Sequence, residues 1–230
     1  HNREIKTIET DILVCGGGPS GIAAATMAGR MGQKVLLVER YGRLGGMAVQ
    51  AMVGPLMGES HSPFVKEFLG RQGGANVNYE FIDLIYADML EEAHVSFLLH
   101  TWVMEPLLKK KRIIGARTFS KEGIIDIRAD ITIDATGDGD VAYQAGADYE
   151  KGRDAGPAWE ADGLLQPMTI QFRVGGVNHN ESMEAKGGRS NYRFADGRNW
   201  DQVCKELYDK GELPPTVGKV RTYPSVRKDE

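Results

Sequence analysis

Six residues near the start of the chain, Gly16-Gly17-Gly18-Pro19-Ser20-Gly21, follow the spacing G-x-G-x-x-G. They stand between a short apolar run, Asp11 to Cys15, and a segment rich in Ala and other small residues, Pro19 to Met31. In such a turn the first glycine permits the sharp bend. The second lets the backbone approach a pyrophosphate, and the third lets helix and strand pack closely. Free N–H groups at the helix start, with the positive end of its dipole, then favour a diphosphate. Pro19 suits the first helical turn. Glu39 closes the next apolar run, Val35-Leu36-Leu37-Val38, and lies 18 residues after Gly21. A carboxylate at this place accepts hydrogen bonds from ribose hydroxyls and repels a 2′-phosphate, which disfavours NADP. A solvated strand-end acid is the plain alternative; the glycine turn and the strand between favour ribose.

Two further motifs lie downstream. Arg43-Leu44-Gly45-Gly46-Met47 places a double glycine soon after the acid, which lets the chain follow a ligand longer than NAD requires. Ala135-Thr136-Gly137-Asp138 ends a strand, where open α/β sheets hold ligands. Asp138 and Asp140 lack further ligands of suitable spacing, so no metal site is assigned. No catalytic acid or base is assigned either. His61 reads as a solvated loop residue, and His94 and His100 as structural. His179 lies in a poorly patterned tail. Cys15 reads as a small buried hydrophobe and Cys204 has no activating partner in view. Trp159, Trp200 and the methionines at 47, 52 and 57 read as core by default.

These residues need a scaffold. Strand 11–15, helix 19–31 and strand 35–38 form a βαβ unit, the second strand being apolar throughout as in a sheet covered on both faces. A short helix is predicted from Pro63 to Leu69. A longer one is predicted from an N-cap at Asn78 to Ala93, with Ile82, Ile85, Met89 and Ala93 on its apolar face. A third strand is expected at Val95–Leu99. Segments 102–108, 112–119 and 123–128 predict an antiparallel meander, with the basic run 109–112 as a solvated turn. Ile131–Ile133 is read as a further strand. Beyond about residue 155 periodicity is weak, with a strand expected at Met168–Val174 and a helix at Trp200–Asp209. Residues 1–10 are polar and are set apart from the fold.

Composition bounds the rest. The chain has 230 residues, 41% of them hydrophobic, enough for a substantial core. With 28 basic and 32 acidic residues the net charge is −4, which argues against general nucleic-acid binding. Two cysteines support neither a disulfide framework nor a CxxC pair. No apolar run approaches the roughly 20 residues a membrane-spanning helix needs. With no secretory apolar region near the start, a cytoplasmic enzyme is expected. The 29 glycines cluster at the ends of apolar runs, as loops shaped around a ligand would require.

Residues 11–25, 38–48 and 133–142 together resemble the FAD-dependent oxidoreductases of the glutathione-reductase-like fold. Within that fold they are similar to a bacterial group described only as FAD-dependent oxidoreductase. Residues 89–101 and 166–169 add detail, and the resemblance covers roughly residues 11–175. It implies an α/β class: a Rossmann-like three-layer FAD-binding domain over 11–155 with its meander at about 102–128. An incomplete second, substrate domain would occupy 156–230. It implies that Gly16, Gly18, Pro19, Ser20 and Gly21 cradle the FAD pyrophosphate. Glu39 would hold the adenosine ribose with Arg40 beside it. Gly45, Gly46 and Met47 would follow the ribityl chain towards the flavin. Val103 would offer backbone groups to the adenine edge, and Ala135, Thr136 and Gly137 would close over the cofactor. The glycine-aspartate flavin motif usual near the C-terminus of such proteins is absent, so a truncated chain is expected. The expected partner is a small-molecule substrate, with no nucleic acid or membrane, and a homo-oligomer is left open. An NAD-dependent dehydrogenase and a non-catalytic dinucleotide-binding fragment are the alternatives; the double glycine and the meander favour FAD.

Overall fold

The structure is a computed structural model that describes residues 5–53, 62–73, 79–154, 163–165, 168, 196–198 and 200–212. The chain divides into two compact units, His1–Gln171 and Phe172–Glu230. The domain boundary expected at 155/156 lies outside the described residues.

In the first unit six strands form one sheet. They are β1 (Lys6–Cys15), β2 (Val35–Val38), β3 (Ser96–Leu98), β4 (Trp102–Lys109), β5 (Arg112–Ser120) and β6 (Gly123–Asp134), in the order β3-β2-β1-β6-β5-β4. Strands β3, β2, β1 and β6 run parallel, while β6, β5 and β4 form the antiparallel meander. The helices are α1 (Pro19–Arg30), α2 (Met47–Gln50), α3 (Pro63–Gln72), α4 (Ile82–Glu92) and α5 (Asp140–Gln144).

Side-chain alternation along β1 and β2 creates two cores. Ile12 and Val14, registered with Val35 and Leu37, face α1 and α4 and pack on Ile22, Ala25, Ile82, Met89 and Leu90. Leu13 and Cys15, with Leu36 and Val38, face the other way and share a core with Ala116, Ile125 and Ile127 of the meander. A mixed six-stranded sheet with helices packed on it is an α/β fold, the class expected.

Several boundaries differ from the sequence reading, among them the end of α3, which runs to Gln72 and not Leu69. Strand β1 begins at Lys6, because residues 6–10, set apart as a polar segment, pair with Ile125–Ala129 of β6. The expected strand at 131–133 is the second half of β6, which is continuous from the meander into the parallel sheet. One strand can serve both because its two edges carry β1 and β5. Helix α4 starts at Ile82 with Phe81 at its N-cap, and Asn78 lies outside the described residues. Strand β3 is shorter than 95–99. Helix α3 begins where its chemistry dictates. The Ser62 hydroxyl accepts from the Val65 N–H at 3.2 Å, Pro63 follows, and Gly73 closes the helix in the left-handed region. The Lys109–Arg112 turn is exposed, as expected.

In the second unit the helix α6 (Trp200–Asp209) matches its predicted span. The expected strand at 168–174 falls outside the described residues apart from Met168. No described helix is long and apolar enough to cross a membrane.

Candidate cofactor site

The loops that follow β1, β2 and β6 meet at the carboxyl ends of three neighbouring parallel strands. Chain order reverses across β1, which goes by way of α1 to β2 on one side and has β6 on the other. That is where open α/β sheets form a ligand crevice.

Each glycine of the first loop has its own reason. Gly16 has φ +110°, and a Cβ there would run into the Ala135 carbonyl. A Cβ at Gly21 would run into the Gly16 carbonyl. Both are required by the protein itself. Gly18 is different: its φ of −73° and ψ of 176° suit any residue. The nearest protein atom to a Cβ at Gly18 would be the Gly46 Cα, 4.0 Å away. Neither strain nor packing within the chain asks for glycine at 18, so the open space beside it has the form of a cradle for something else. Helix α1 starts at that point with no side-chain cap, Pro19 in its first turn and Ser20 exposed. The backbone N–H groups there supply a diphosphate with the partners an uncapped helix lacks.

Glu39 is 5% exposed at the end of β2. Its Oε2 accepts from the Gly17 N–H at 2.6 Å and its Oε1 from the Tyr41 N–H at 2.8 Å. Each carboxylate oxygen retains a further lone pair, so ribose hydroxyls can still be accepted. Glu39 thus also stitches the glycine loop to the loop after β2, a structural role its spacing did not reveal. Its carbonyl accepts from the Thr101 N–H at 2.9 Å, which brings the start of β4 alongside. Arg40 lies over the rings of Tyr41 and Trp102, 4.7 and 5.6 Å from their centroids. Val103 follows on β4, half-buried against the meander core and registered with Thr118.

The double-glycine loop lies against the first. The Gly45 N–H donates to the Gly17 carbonyl at 2.8 Å. A Cβ on Gly46 would stand 2.9 Å from the Gly18 Cα. Met47 begins α2 and is exposed, while Leu44, Ala48 and Val49 beside it are buried. Glycine at 46 therefore lets the two loops close on each other while leaving the Gly18 space free.

The third loop is held by Asp134, which the sequence reading passed over. Its Oδ1 accepts from the Thr136 N–H at 3.1 Å and from the Thr136 hydroxyl at 2.7 Å. Its Oδ2 accepts from the Ala142 N–H at 2.8 Å in α5. The Thr136 oxygen accepts in turn from the Asp140 N–H at 2.9 Å. An aspartate two residues before a threonine at a strand end is a turn signal that could have identified it. Ala135 continues the ladder, its N–H donating to the Cys15 carbonyl at 2.8 Å, and Gly137 is exposed.

The other candidates do not join this site. Cys15 is fully buried in β1, and burial, with a smaller contribution from Asp134, pushes its thiol up to about 12. It is not a nucleophile. His94 and His100 are exposed at the two ends of β3. A Cβ on Gly42 would stand 2.6 Å from the His100 ring. His61, His179, Met57, Trp159 and the side chain of Cys204 lie outside the described residues.

The family model described as FAD dependent oxidoreductase matches residues 11–223. The mitochondrial dihydrolipoyl dehydrogenase of Dictyostelium discoideum is 30% identical over 122 residues, which are 52% of this chain and 25% of that protein. The dihydrolipoyl dehydrogenase of Staphylococcus aureus is 52% identical over 42 residues, 18% of this chain and 9% of its own length. Among solved structures, a geranylgeranyl bacteriochlorophyll reductase-like protein from Thermoplasma acidophilum aligns with a TM-score of 0.48 at 21% identity. That alignment covers 61% of this chain and 42% of the other. The chain spans about a quarter of the Dictyostelium relative's length. With the family match running over nearly all its residues, the chain belongs to the FAD dependent oxidoreductase family.

Proposed function

We propose that the protein is an FAD-dependent oxidoreductase that moves a hydride or two electrons between a small-molecule substrate and bound flavin. The observation that carries this reading is Gly18, a glycine with ordinary dihedrals and open space where the chain itself would tolerate a side chain. Backbone N–H groups of the α1 start, with Gly16, Gly18, Pro19, Ser20 and Gly21, hold the diphosphate. Glu39 accepts the adenosine ribose hydroxyls, and its charge disfavours a phosphorylated ribose. Arg40 and the Val103 backbone flank the adenine end. Gly45, Gly46 and Met47 follow the ribityl chain, and Ala135, Thr136 and Gly137 close the crevice from β6. The flavin, when bound, supplies the two-electron chemistry, and the protein supplies position, polarity and exclusion of water. Cys15 and Cys204 are the only cysteines, and Cys15 is buried, so no dithiol relay within these residues enters the proposal. The substrate class is left open. A cytoplasmic location and a small-molecule substrate accompany the reading, with no nucleic-acid or membrane partner.

The test is colour and uptake. Protein purified or refolded with FAD is expected to be yellow and to keep a flavin absorption spectrum through gel filtration. A colourless preparation that takes up no added FAD overturns the proposal.

A further inference from the structure

We infer that Arg43 is a positioning residue for the cofactor: anchored on the first turn of α4, it sets the double-glycine loop against Gly18. The inference rests on the FAD reading above. Arg43 Nε donates to Asp83 Oδ2 at 2.6 Å and Nη2 to Oδ1 at 2.9 Å, a two-pronged pair. Nη2 also donates to the Glu80 carbonyl at 2.7 Å, so the guanidinium is tied to both the helix and the turn that leads into it. The Asp83 side chain is 16% exposed and sits in the first turn of α4, where the helix dipole favours an acid. The guanidinium holds the Asp83 carboxyl below its usual range, so the pair stays charged at neutral pH.

Asp83 and Tyr86 are three residues apart and share a helix face. A Cβ on Gly45 would lie 3.4 Å from Tyr86 Cε2, so that face underlies the loop at a second point. Tyr86 is in turn stacked on Phe68 of α3, with centroids 4.8 Å apart. Helix α4 therefore acts as an anvil. Arg43 pins one end of the loop to it, Tyr86 backs Gly45, whose N–H donates to the Gly17 carbonyl, and Gly46 follows against Gly18. Lysine at 43 would keep the charge but lose the planar fork that fixes direction as well as distance.

The experiment titrates FAD into the full 230-residue chain, stripped of cofactor, by flavin fluorescence, and follows Gly45 amide exchange in the apoprotein. The control is Arg117, whose guanidinium makes the same kind of fork to Asp126 in the meander, far from the loop in sequence. Arg43→Ala is expected to raise the FAD Kd about tenfold and to speed Gly45 exchange, as loss of a charged, hydrogen-bonded pair implies. Arg43→Lys recovers only part of the affinity, and Arg43→Ala/Asp83→Ala is no weaker than Arg43→Ala alone, since the two act as a unit. Arg117→Ala leaves both readouts near wild type. If Arg43→Ala does not fold, Asp83→Asn carries the test, with the same direction at about threefold. Wild-type uptake with an unchanged Arg43→Ala isotherm, or an equal loss in Arg117→Ala, overturns the inference. A wild-type chain that takes up no FAD overturns the reading beneath it.

Discussion

Gly16, Gly18 and Gly21 belong to one motif but answer to different constraints, and substitution separates them. Gly18→Val is expected to abolish FAD uptake while leaving the apoprotein's melting temperature nearly unchanged, because no protein atom stands closer than 4.0 Å to the new Cβ. Gly16→Ala is expected to destabilise the apoprotein by about 2 kcal/mol or more, because its positive φ and the Ala135 carbonyl both oppose a side chain. Thermal melts of stripped protein, read beside retained flavin absorbance, check both. If Gly18→Val retains full uptake, the diphosphate does not lie at this turn. Glu39 allows a similar separation. Glu39→Gln turns one acceptor into a donor facing a backbone N–H, either that of Gly17 or that of Tyr41. A loss of about 1–3 kcal/mol is expected even without cofactor, measured by urea unfolding of the apoprotein. No change would mean that these two hydrogen bonds contribute nothing to the fold.

At the scale of elements, four charged side chains bind three helices together. Arg30 of α1 makes a fork to Glu67 of α3 at 2.7 and 2.8 Å. Arg71 of α3 joins both Glu67 and Glu92 of α4. The Arg30 hydrogen bond, then that of Arg71, lowers the Glu67 carboxyl from 4.5 to about 2. A carboxyl depressed in the folded state adds stability that is fully present above its unfolded value, and it is lost as pH falls through the folded one. The loss from Glu67 therefore runs from about pH 4.5 to about pH 2. Side chains that are roughly a third exposed keep the contribution small. Glu67→Gln is expected to lower the urea midpoint slightly at pH 6 to 8, where the carboxylate contributes, and to flatten its fall between about pH 4.5 and about pH 2. A variant as acid-sensitive as wild type would show that Glu67 is not the titrating group. The elements themselves were legible where the signal is local. Strand β2, helix α1 and helix α6 follow from an apolar run, a glycine turn with proline, and an amphipathic period. The start of α4 was not, because Phe81 stands at its N-cap with no side-chain hydrogen bond.

For the molecule as a whole, ligand and fold are coupled. A cofactor that binds only the folded state stabilises it by about 2.7 kcal/mol at a hundredfold excess over Kd. FAD is therefore expected to raise the wild-type melting temperature and to leave that of Gly18→Val unmoved, as differential scanning fluorimetry can show. The coupling follows from topology, since the three loops of the site are the ends of β1, β2 and β6, which are neighbours only once the sheet has formed. The three loops of the candidate site were readable beforehand: a glycine turn between strand and helix, an acid one strand later and a strand-end Ala-Thr-Gly are runs of adjacent residues whose backbone chemistry is local. Pairing between distant residues was not. Arg43 finds Asp83 forty residues on, and Gly46 closes on Gly18. The continuity of β6 through both halves of the sheet belongs with them. Each depends on tertiary packing around the sheet, and a linear order of residues carries no distance between side chains that only crossover connections bring together.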